Sequence, residues 1–174
     1  MHGVCHERAL RRLRAGPNAV TSAGPETWER HGPVAKPGPT AYDGNVKIEH
    51  TAYQVADPVG LARWYVEHLG MTVKRAQSAS PFGHFLADDG DAVMLEFYAN
   101  PRVTVPDYRA MDPLLLHIAF SADDVPATRA RLLAAGATPE GDVTHTDAGD
   151  VLAMLRDPWG IAVQLVQRRT PMIG

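Results

Sequence analysis

From Lys47 onward, apolar and polar positions follow two periods. Alternation by twos runs through "KIEHTAYQV" (47–55), "DAVMLEFY" (91–98), "LLLHIAF" (114–120) and "GIAVQLVQ" (160–167), which predicts strands with one face toward a core. After the first and third strands come helix signals. Asp57 suits an N-cap, Pro58 a first turn and Gly70 a left-handed stop; Asp123 or Asp124, Pro126 and Gly136 repeat the arrangement.

The repetition extends over whole units. "HTAYQVADPVGLARWYVEHLG" from His50 matches "HIAFSADDVPATRARLLAAG" from His117, and "DGDAVMLE" ending at Glu96 aligns without a gap on "DPWGIAVQ" ending at Gln164. The spacing from His50 to Glu96 differs by a single residue from that between His117 and Gln164. Each copy therefore carries one polar side chain of metal-ligand type on its first strand and another on its last.

Strand parity sets the direction of these side chains. Val93, Leu95 and Phe97 share one face, and Met94, Glu96 and Tyr98 share the other. His50 goes with Ile48 and Ala52, and His117 with Leu115 and Ala119, while Leu116, Ile118 and Phe120 face the helix. Small neighbours beside each histidine leave room. If first and last strands are adjacent in each sheet, the four polar groups can converge in a metal-site geometry. Glu96 needs some such compensation, because a carboxylate away from water costs several kcal/mol unless a metal, a cation or donors meet it. Arg63, Arg75 and Arg102 are the alternative partners, and isolated histidines are more often satisfied core residues than ligands.

Composition narrows the classes. The 174 residues are 45% hydrophobic and 21% charged, enough for one sizeable core or two small modules. A formal net charge of -3 gives no general drive toward nucleic acid or anionic membrane. No apolar run approaches the roughly 20 residues that span a bilayer. The N-terminal "MHGVCHERALRRLRAG" is basic but lacks the apolar stretch of a secretory signal, and Gly16 to Gly44 is dense in Pro, Gly and Thr. Residues 1–44 are thus expected to be disordered or extended. The single cysteine, Cys5, excludes an intrachain disulfide framework and a thiolate cluster, which fits a cytoplasmic setting.

The duplicated strand-helix-three-strand order, the "HTAYQVADPVGLARWYVEHLG" opening and the "DPWGIAVQLV" close resemble the vicinal oxygen chelate superfamily, over about Val46 to Gln167. That family includes glyoxalase I, bleomycin-resistance proteins and extradiol dioxygenases. The resemblance implies an α+β fold of two tandem βαβββ modules whose curved mixed sheets enclose a cavity, with module 1 at 45–99, a connector at 100–112, module 2 at 113–168 and a tail at 169–174. It also implies a divalent metal on His50, Glu96, His117 and Gln164, with Glu96 as catalytic base.

The ligand pattern is nearest to glyoxalase I, whose bacterial set resembles His-Glu-His-Glu; here Gln164 stands in place of the last carboxylate. Two imidazoles, one carboxylate and an amide around M²⁺ leave a net charge of about +1. The set admits Ni²⁺, Co²⁺, Zn²⁺, Mn²⁺ or Fe²⁺. The implied activity is a lyase or isomerase acting on a small oxygen-bearing substrate chelated to the metal. A ring-cleaving dioxygenase and a metal-free binding protein of the bleomycin-resistance type are the alternatives. Family members build their cavity within one chain or between chains, and a homodimer is expected.

Overall fold

A computed structural model describes residues 46–172. The segment 1–44 discussed above lies outside the described residues. The first module runs β1 (His50–Gln54), α1 (Pro58–Leu69), β2 (Thr72–Ala76), β3 (His84–Ala87) and β4 (Met94–Tyr98). The second repeats it as β5 (Ile118–Ser121), α2 (Val125–Ala134), β6 (Thr138–His145), β7 (Val151–Arg156) and β8 (Ala162–Gln167). Each module is an open curved four-stranded sheet, in the orders β1-β4-β3-β2 and β5-β8-β7-β6. First and last strands are neighbours in both and pair in parallel; the remaining pairs are antiparallel.

The caps form where the sequence places them. Asp57 accepts the Gly60 N–H at 2.9 Å, and Gly70 takes φ 71°, a conformation a side chain would strain. Of the two aspartates before α2, Asp124 is the cap, accepting from Ala127 at 2.9 Å. The α2 cap residue is Ala135, and Gly136 turns left-handed one position later.

One core serves both modules. Tyr65, fully buried on α1, packs edge-on against Phe97 of the first sheet at 4.9 Å and near Phe120 of the second at 6.2 Å between ring centroids. Its hydroxyl donates to Asp157 at 3.0 Å, and the Trp64 indole donates to the Ala135 carbonyl at 2.8 Å. Both helix aromatics are therefore core, where the sequence pattern required only one. Gln54 and Arg156 fasten the connector. The Gln54 amide donates to the carbonyls of Asn100 and Val103, and Arg156 to those of Tyr108 and Met111.

The second module departs from its predicted pattern at its start. Strand β5 begins at Ile118, after His117, and Leu116 does not pack on the helix side: Leu114 to Leu116 are exposed, Leu115 by 79%. The cause is a turn at Asp112, whose side chain accepts from Leu114 N–H and whose carbonyl accepts from Leu115 N–H. Backbone committed to that turn cannot continue the ladder.

Candidate metal centre

Register carries the internal duplication into three dimensions. Glu96 lies opposite Ala52 on the β1–β4 ladder, and Gln164 lies opposite Ala119 on the β5–β8 ladder. Each is thus beside the residue two positions after its histidine. Because side chains alternate along a strand, His50, Ala52, Met94, Glu96 and Phe85 share the face turned away from the common core. Ala119, Met154 and Gln164 share the equivalent face of the second sheet, and His117 immediately precedes β5. Ala52 and Ala119 are exposed, so both polar faces are open.

In the first module the two polar groups meet. His50 Nε2 lies 3.5 Å from Glu96 Oε2. That exceeds a normal hydrogen bond, whereas two ligands held at about 2.1 Å by one tetrahedral ion stand about 3.4 Å apart. The donor set and its spacing therefore fit a divalent metal. Phe85 backs the imidazole edge-on at 5.5 Å, and Gly83 lies beside the Glu96 carboxylate. None of Arg63, Arg75 and Arg102 forms an ion pair with Glu96 among the described residues.

Each imidazole makes a local contact through Nδ1: His50 Nδ1 contacts the Glu49 carboxylate, and His117 Nδ1 contacts the Pro113 carbonyl at 2.9 Å, and neither Nε2 makes a hydrogen bond among the described residues. The Glu49 carboxylate raises the His50 pKa above the ordinary imidazole value; partial loss of water opposes this, and the charges of Glu49 and Glu96 add to it. Among the described residues, no three of His, Cys, Asp and Glu gather as a metal site. One chain thus brings His50 to Glu96 and does not bring His117 to them.

A cleft of ≈ 350 Å³ lies beside this pair. Its lining does not include His50 or Glu96: it combines the apolar Ile48, Ala87, Val93 and Met94, of which Met94 is in register with His50, with the charged Lys47, Glu49, Lys74 and Asp91. Two features escaped the sequence pattern. The acid before His50 had a visible signal, since "KIEH" aligns on "LLLH" and only the first carries a carboxylate. The Pro113 contact is made by backbone and had none. Trp159 packs near Gly60 on α1, His84 Nδ1 contacts the Phe82 carbonyl, and His145 is exposed at the end of β6.

The sequence profile of the Glyoxalase/Bleomycin resistance protein/Dioxygenase superfamily matches residues 47–165. A protein named "Probable lactoylglutathione lyase" from Vibrio parahaemolyticus is 29% identical over 141 residues, covering 75% of this chain and 96% of that protein. One of the same name from Vibrio cholerae is 26% identical over 136 residues, with the same coverage. Glyoxalase I from Zea mays is similar in structure with a TM-score of 0.58 at 23% identity, over 71% of this chain and 45% of that one. TnmS3, an antibiotic binding protein from Streptomyces sp. CB03234, gives 0.56 at 21%, over 73% and 99%. These two likenesses are of fold. No described helix is long and apolar enough to cross a membrane.

Proposed function

The chain belongs to the Glyoxalase/Bleomycin resistance protein/Dioxygenase superfamily, and from that premise we propose that it is a divalent-metal-dependent lyase or isomerase of glyoxalase type. Its substrate is a small molecule that presents two oxygens to the metal. The observation that carries this reading is the His50–Glu96 pair, held at ligand spacing on an open sheet face with no arginine in an ion pair with Glu96 among the described residues. The relatives named as lactoylglutathione lyases support the reaction class.

The ligand set is His50 and Glu96 from one chain with His117 and Gln164 from a second copy. Both polar faces point away from the core they share, so a four-ligand site within reach of both pairs calls for another chain's face. When bound, the ion polarises the substrate carbonyl and stabilises negative charge developing on its oxygens. Glu96 takes a proton from the carbon beside that carbonyl. Gln164 cannot ionise, so Glu96 also returns the proton to the neighbouring carbon, and the overall change is an isomerisation.

Elemental analysis of protein purified without chelator, paired with an assay of the methylglyoxal–glutathione hemithioacetal, tests this reading. About one divalent ion per chain and metal-dependent turnover are expected. No bound metal and no turnover after reconstitution would contradict it. The apolar part of the cleft lining, Ile48, Ala87, Val93 and Met94, favours a second reading, metal-free binding of a small molecule. Tight binding of such a ligand by a metal-free protein would favour that instead.

A further inference from the structure

Two asymmetries between the modules fall on the same site. The second module carries Gln164 where the first carries Glu96, so the ligand set has one carboxylate. The first module carries Glu49 immediately before its histidine, where the second carries Leu116. The Glu49 carboxylate lies on His50 Nδ1, whereas among the described residues His117 Nδ1 meets the neutral carbonyl of Pro113.

We propose that Glu49 is a positioning residue that sets the metal affinity of the His50 half-site, supplying through the imidazole the negative charge that Gln164 withholds from the ligand set. This rests on the metal reading above. A carboxylate on Nδ1 fixes the tautomer with its lone pair on Nε2, the nitrogen that faces Glu96, and makes that nitrogen a stronger donor. Counting Glu49, Glu96 and the ion, the site returns from about +1 to about neutral. Glu49 has no part in the core: its side chain is 68% exposed and precedes β1. Replacing it therefore leaves the fold intact.

The test is titration of the metal-free full chain with Zn²⁺ and Co²⁺ against a competing chelator, with the visible Co²⁺ spectrum as a record of ligand geometry. Glu49→Gln and Glu49→Ala are expected to weaken both ions by about 10- to 100-fold. Adding Gln164→Glu to Glu49→Gln is expected to recover most of that loss, while the thermal midpoint of the metal-free protein stays unchanged. Glu49 variants that bind within about twofold of the unaltered chain would overturn this inference alone, as would a double variant that recovers nothing. An unaltered chain that binds neither ion would overturn the metal reading itself, and this inference with it.

Discussion

His50 Nε2 and Glu96 Oε2 stand 3.5 Å apart on adjacent parallel strands, too far for a good hydrogen bond and at the spacing of two ligands on one ion. Glu96 is the only ionisable carboxylate of the proposed ligand set, so ligation and proton transfer rest on the same side chain. Glu96→Gln is expected to weaken the metal and to lower hemithioacetal turnover by at least about 100-fold. Dialysis against trace metal, with turnover of the reconstituted protein, measures both.

Gln164 occupies the register position equivalent to Glu96. Gln164→Glu adds a charge to a site of about +1 and is expected to tighten the metal on the order of tenfold. Hemithioacetal turnover should be retained or raised, because a second proton-transfer group becomes available. Competition with a chelator and steady-state kinetics report the two effects separately.

Asp157 gives a pH dependence unrelated to the metal. Burial pushes its carboxyl up to about 6, although Tyr65 O–H and the N–H groups of Trp159 and Ile161 donate to it and favour ionisation. Between the unfolded value of 3.8 and about 6 the folded state holds a proton that the unfolded chain has lost. Stability should therefore fall as pH rises through this window, by on the order of 3 kcal/mol in total. Asp157→Asn keeps the shape and removes the titration. Urea unfolding at pH 4 and pH 7 should show the fall in the unaltered chain and little of it in the variant.

Arg156 is buried and satisfied by Glu140 and by the carbonyls of Tyr108, Met111 and Gly160. Removing it leaves these acceptors without their donor and frees the connector that joins the modules. Arg156→Ala is expected to cost about 3–5 kcal/mol, read as a lower urea midpoint.

The fold was legible because several independent signals agreed. Asp57, Pro58 and Gly70 mark α1, their counterparts mark α2, and the His50-to-Glu96 interval recurs from His117 to Gln164. Parity also placed His50 and Glu96 on one face. Other features depended on groups a pattern of side chains does not record. The start of β5 was set by the Asp112 turn, which the alternating run "LLLHIAF" conceals. The contact of His117 with the Pro113 carbonyl belongs to that same turn. Tyr65 and Trp64 are both core because α1 serves two sheets, and periodicity within one helix cannot register a second packing partner.

In the proposed site a metal is held by His50 and Glu96 of one chain and His117 and Gln164 of another. Mixing two inactive variants, His50→Ala and His117→Ala, tests this sharing of ligands. After unfolding and refolding the mixture together, each mixed dimer has one site with both defects and one with none. The separate variants are expected to hold little metal, and with random pairing the mixture is expected to regain about a quarter of the unaltered occupancy and activity. A mixture that regains nothing, from variants that refold and dimerise, would contradict it.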